Sequence, residues 1–203
     1  MQKDKLLIIF AKAPVPGQVK TRLTPDYSHF QASIIHQQLL EHTVSNLHHM
    51  KGVDVELHCA PDQEHKFFKY LKHQYQIKLA VQSEGDLGQK MSAAMHNALT
   101  NYNKVALIGS DAPAISRSYI YKAFDALDVN SAVIGPAEDG GYVLVALSKS
   151  HSEMFDQIEW GTEKVLQQTI DTLKPAFPIL LDTLWDLDRT EDVARFNLIL
   201  NNQ

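Results

Sequence analysis

Short apolar runs alternate with longer segments of helical period along the whole chain, and this alternation leaves few folds open. Residues 6–11 form a continuous apolar run of strand length, and residues 105–108 form another. Residues 53–60 alternate as Val53, Val55, Leu57 and Cys59, a period of two. Further strands are expected at 77–81, 132–134, 142–147 and 177–181. Between them, residues 26–50 set Ile34, Ile35, Leu39, Leu40, Val44 and Leu47 along one broad helical face. Helices are also expected at 62–74, 87–99, 117–127, 165–173 and 191–200. Strands separated by helices of this length join by right-handed crossovers into a mainly parallel sheet covered on both faces. Strands that are apolar without alternation fit burial on both faces. In such sheets ligands bind beyond the carboxyl ends of the strands. That rule nominates the loops 12–24, 109–116, 137–141 and 186–190.

Composition narrows the function. The 203 residues suit one domain over 1–203, with no linker, repeat or low-complexity stretch. A single cysteine, Cys59, excludes an internal disulfide, a CxxC redox pair and a cysteine-based zinc cluster. Nineteen Lys+Arg against 24 Asp+Glu give a net charge of −5, which argues against a nucleic-acid partner. No apolar run approaches the roughly 20 residues of a membrane span. The first apolar run is too short for a signal peptide, so a cytoplasmic location is expected. The ten histidines scatter without an HExxH or a third ligand near His48-His49, and are expected to be structural.

Four loops carry residues with chemistry. Residues 11–23 concentrate Lys12, Lys20 and Arg22 around Pro16 and Gly17. Gly17 lets backbone N–H groups approach an anion, and the cations can neutralise phosphate, Arg22 bidentately. The loop is neither a Walker A loop nor a GxGxxG fingerprint. In Gly109-Ser110-Asp111, a carboxylate follows a buried strand, where it can hold Mg²⁺ or Mn²⁺ or else form a turn that caps the next helix. Glu138 and Asp139 precede Gly140-Gly141, an arrangement for sugar hydroxyls, an acceptor or a base, and equally a hairpin turn. Asp186 and Asp188 alternate, so in extended chain they point to one side, as ligands of a shared metal would. Thr190 reads as the N-cap of the last helix, with Glu191 and Asp192 in its first turn. Trp160 is a candidate pocket-lining residue.

The strings AKAPVPGQVKTRL, GDLGQKM, IGSDAP, GPAEDGGYVLVAL, IEWGT and WDLDRTED occur in this order between about residue 5 and residue 196. In this the chain resembles a bacterial branch of the GT-A, nucleotide-diphospho-sugar transferase-like superfamily. Some members are described as glycosyltransferases, including ones associated with arsenosugar pathways. It is more distantly similar to the nucleotidyltransferases that make molybdenum-cofactor dinucleotides or guanylated phospholactate. The resemblance implies a Rossmann-like three-layer α/β/α sandwich, with one or two late strands antiparallel in a mainly parallel mixed sheet. It implies a metal-dependent transferase acting on a nucleotide sugar or nucleoside triphosphate and a small-molecule acceptor. Glycosyl transfer is the leading expectation. Nucleotidyl transfer with release of pyrophosphate is the alternative, and a nucleotide-binding protein without catalysis is the second. Lys12, Pro16, Gly17, Lys20, Thr21, Arg22 and Gly88 are the expected phosphate-binding set. Glu138, Asp139, Gly140, Gly141 and Trp160 are expected at the acceptor, and Asp111, Asp186 and Asp188 at Mg²⁺ or Mn²⁺. Asp111, Lys20 and Asp139 are the expected catalytic residues. The central strand ends on one acid, Asp111, where glycosyltransferases of this fold usually carry Asp-x-Asp; Asp186 or Asp188 is expected to supply the second.

Overall fold

A computed structural model describes residues 3–201. Seven strands form one sheet: β1 (Lys3–Lys12), β2 (Asp54–Ala60), β3 (Lys78–Val81), β4 (Tyr102–Gly109), β5 (Ala132–Pro136), β6 (Tyr142–Leu147) and β7 (Ile179–Leu180). The order across the sheet is β3-β2-β1-β4-β6-β5-β7. Every neighbouring pair is parallel except those made by β6, which runs antiparallel to β4 and to β5. The chain order reverses beside β1, whose neighbours are β2 and β4, and this is where an open α/β sheet forms its ligand crevice.

Six α-helices cover the sheet: α1 (His29–Leu47), α2 (Lys66–Tyr75), α3 (Leu87–Leu99), α4 (Arg117–Ala126), α5 (Val165–Thr172) and α6 (Thr190–Asn201). Alternate side chains of the strands divide between two layers. Leu7, Ile9 and Ala11 of β1 pack with α1, α2 and α4 on one face. Leu6, Ile8 and Phe10 pack with α3 on the other, in a cluster that takes in Leu166 and Ile170 of α5. Among the described residues no helix is long and apolar enough to cross a membrane.

Helix starts differ from the sequence expectation where side chains cap. α1 begins at His29 rather than near 26, because Ser28 and Gln31 form a reciprocal capping box. α2 begins at Lys66 rather than 62, because the His65 ring accepts from the Phe67 N–H while Asp62 bonds the Glu64 N–H instead. α6 corrects the reading of Thr190 as its N-cap. Thr190 is the first helical residue, and its hydroxyl donates to Asp26 at 2.6 Å. The Asp192 carboxylate accepts the N–H groups of Asp188 and Arg189 in its place. The last strand spans two residues, not the five expected.

A third cluster sets up the site. Leu23, which follows the basic loop, packs with Trp185, Leu187 and Phe196 against α1. Trp185 and Leu187 are buried, so the intervening Asp186 and the next residue, Asp188, face the other way.

Candidate functional site

Four loops converge at the carboxyl ends of β1 and β4, and three of them meet at Lys20. Its backbone is in the left-handed region, φ 49°, opening a 3-10 turn at Thr21–Leu23. Its buried ammonium donates to the Leu187 carbonyl and lies 3.1 Å from Asp111 Oδ2 and 3.8 Å from Asp188 Oδ1. Arg22 pairs with the other oxygen of Asp188. The Leu187 N–H donates to the Asp111 carbonyl at 2.9 Å, joining the last loop to the β4 loop. Ser116, not Asp111, caps α4, which leaves the Asp111 carboxylate turned to the site.

Behind Asp111 lies His36 of α1, a residue that the sequence left among the structural histidines. Its Nε2–H donates to the Lys12 carbonyl at 2.9 Å, and its Nδ1 is 3.7 Å from Asp111 Oδ1. Neither of those two facing atoms has a hydrogen-bond partner among the described residues. Burial opposes ionisation of Asp111, but the Lys20 charge and then His36 hold its carboxyl well below the usual carboxylate range.

The loops enclose two adjoining clefts. The first, about 390 Å³, is lined by Lys12, Lys20, Thr21, Arg22, His36, Asp111 and Asp188, among others. The second, about 220 Å³, is lined largely by apolar and aromatic groups, including Met91, Leu107, Tyr142, Val145 and Trp160, together with Asp139, Gly141 and Asp186. Phe10, Leu87 and Gly109 line both. An acidic cluster lies at the junction: one carboxylate oxygen each from Asp139, Asp186 and Asp188 fall within 4.8 Å of one another. Burial, then the charges of Asp139 and Asp188, push the Asp186 carboxyl up to about 6. Desolvation and neighbouring negative charge thus both disfavour its ionisation, with Lys20 opposing them in part, and three hard oxygen donors suit Mg²⁺ or Mn²⁺.

The expected site residues divide accordingly. Lys12, Lys20, Thr21 and Arg22 line the first cleft, whereas Pro16 and Gly17 do not and shape the bend before them. Asp186 and Asp188 lie together, and Asp139, expected at the acceptor, joins them; Asp111 is instead paired to Lys20. Gly88 lines neither cleft: a Cβ there would sit 2.6 Å from the Phe155 carbonyl and 3.0 Å from Trp160 Nε1. It lets the start of α3 rest on Trp160. Glu138 also lines neither cleft, being tied to Arg195 at 3.1 Å. Gly140 has φ +88° and its missing Cβ would meet the Glu163 carbonyl at 2.4 Å, while its own carbonyl accepts the Leu166 N–H. The Asp-Gly pair thus makes the hairpin turn between β5 and β6 and also presents Asp139.

Comparisons with known proteins agree with the fold. A family profile described as an uncharacterized protein conserved in bacteria (DUF2064) matches residues 43–162. No curated protein matches. A candidate nucleotide-diphospho-sugar transferase from Desulfovibrio desulfuricans G20 is 31% identical, with a TM-score of 0.83 over 93% of this chain and 84% of that one. The fold is shared with a CMP:2-keto-3-deoxy-manno-octonic acid synthetase complexed with CTP, 8% identical, TM-score 0.62, over 98% of this chain and 99% of that one. It is shared too with the manganese complex of Rv0371C from Mycobacterium tuberculosis H37Rv, 13% identical, TM-score 0.55, over 96% of this chain and 98% of that one.

Proposed function

Since this chain belongs to the bacterial DUF2064 family, we propose that it is a metal-dependent transferase that moves a sugar from a nucleotide-diphosphate donor to a small acceptor. The observation that carries this reading is the acidic cluster at the junction of a cationic cleft and an apolar one. The 31% identical relative described as a candidate nucleotide-diphospho-sugar transferase supports it, as do fold neighbours holding CTP and manganese.

The donor's diphosphate belongs in the first cleft. Lys12, Lys20 and Arg22 neutralise it there, and Arg22 can grip two oxygens at once. An ammonium has three N–H donors. Leu187 and Asp111 take two of those of Lys20, which aims the third. Asp111 is therefore proposed to act by fixing Lys20. The less exposed Asp186 and Asp188, with Asp139, would hold the divalent ion, which would stabilise negative charge on the departing diphosphate. Asp139 is exposed and also lines the second cleft, so it is placed to take the acceptor's proton. In balance, the acceptor oxygen bonds to the anomeric carbon, and the bond from that carbon to the diphosphate breaks. Its electron pair leaves with the nucleoside diphosphate, and the hydroxyl proton passes to the carboxylate.

The basic loop and the fold neighbour complexed with CTP favour a second reading, nucleotidyl transfer. The products separate the two. The protein is incubated with nucleotide sugars, and separately with nucleoside triphosphates plus candidate acceptors, each with Mg²⁺ or Mn²⁺. Release of nucleoside diphosphate, including slow hydrolysis with water as acceptor, supports glycosyl transfer. Release of pyrophosphate from a triphosphate establishes the second reading, and turnover of neither class overturns both.

A further inference from the structure

The second cleft differs in kind from the first. Its apolar wall includes Phe10, Met91, Leu107, Tyr142, Val145 and Trp160. Among the described residues that line it there is no lysine, arginine or histidine; its charged groups are Asp139 and Asp186. The site's cations, Lys12, Lys20 and Arg22, all line the other cleft. Trp160 is held in place: its ring meets Tyr142 edge-on at 6.2 Å between centroids, and Gly88 gives it room from behind.

We propose that this cleft selects an uncharged or cationic acceptor with a compact apolar or aromatic body, and rejects phosphorylated acceptors. A phosphate placed here would meet two carboxylates and no basic side chain, and like charges at short range in a partly enclosed cleft repel strongly. A divalent ion on the cluster, with Lys20 and Arg22 beside Asp188, offsets part of this charge, so the preference is expected to be greatest without Mg²⁺. The apolar wall supplies the attraction, since each buried carbon gains by leaving water. A cavity of about 150 Å³ suffices for benzene. The 220 Å³ here therefore takes one ring with a short substituent. A hydroxyl on that substituent can reach Asp139.

The word acceptor rests on the transferase reading, but the cleft's preference does not need a nucleotide, so it is measured without one. The protein is labelled with ¹⁵N in its two tryptophan indoles, and Trp160→Phe assigns the signals. Benzyl alcohol, tyramine and phenyl phosphate are titrated separately, with and without Mg²⁺. The neutral and cationic probes are expected to shift the Trp160 signal with a Kd at least about tenfold below that of phenyl phosphate. In Asp139→Asn/Asp186→Asn the gap is expected to fall below about threefold. Phenyl phosphate moving the Trp160 signal at equal or lower concentration overturns the proposal. So does the absence of a response to both benzyl alcohol and tyramine. Failure of nucleotide turnover with this selectivity intact counts against the transferase reading instead.

Discussion

Lys20 joins three loops through one ammonium, so its removal acts on both geometry and charge. Lys20→Ala leaves the Asp111 carboxylate without its cation and the Leu187 carbonyl without its donor. We expect kcat/KM for the nucleotide donor to fall by at least about 10²-fold, the loss typical of removing one preorganised charge-stabilising group. Arg22→Ala, at an exposed position, should cost less. Steady-state kinetics of the two variants check this order. Asp186 gives a pH prediction of definite sign. Its folded value, about 6, lies above the ordinary 3.8. The stability it contributes to the metal-free protein is therefore full below about pH 4 and is lost as pH rises through 6. Asp186→Asn should raise the Tm of the metal-free protein at pH 7.5 by about 2 °C or more and abolish the upward shift that Mn²⁺ gives the parent. Thermal melts from pH 4 to 8, with and without Mn²⁺, measure both. The alternation of Asp186 and Asp188 across Leu187 made their shared direction legible in the sequence. That Asp139 would join them was not, since it comes from a hairpin held to the last loop by the Ala137–Leu184 bridge and the Glu138 N–H donating to the Leu184 carbonyl. His36 was equally silent, because its partners are a backbone carbonyl and a carboxylate from two remote loops.

At the scale of elements, glycines and caps carry the placement. The GDLGQK stretch looked like part of a phosphate site, but its Asp86 and Gln89 form the capping box of α3, and Gly88 seats that helix on Trp160. Gly88→Ala should therefore leave the cationic cleft intact and displace Trp160. The expected cost is about 1–3 kcal/mol, with an altered Trp160 signal and a nucleotide affinity changed less than threefold. Denaturant melts and nucleotide titration separate these effects. α6 closes the structure by burying Phe196 beside Trp185 and Leu187. Phe196→Ala should cost about 3–5 kcal/mol and loosen the loop that carries Asp186 and Asp188. That would appear as weaker Mn²⁺ binding along with lower stability. Helix positions were legible from the apolar period, but their first turns were not, because Ser28, His65 and Asp192 cap at positions that the period does not mark.

For the whole molecule, alternating strands and helices dictated a mainly parallel sheet, and the carboxyl-end rule dictated which loops would meet. The sheet order adds what no local pattern contains: β6 enters between β4 and β5 and runs antiparallel to both. That insertion sets the apolar cleft beside the cationic one. The result is a protein of net charge −5 that keeps its cations at the site on a single loop and faces them with three acids at the junction. The joint use of the two charges is the central claim, and calorimetric titration with nucleoside diphosphates, in the presence and absence of Mn²⁺, tests it most directly. The expected result is at least one diphosphate whose affinity rises about tenfold or more with Mn²⁺, a gain of about 1.4 kcal/mol, and falls in both Lys20→Met and Asp186→Asn. Binding of no diphosphate, or binding indifferent to Mn²⁺ and to both substitutions, would contradict it.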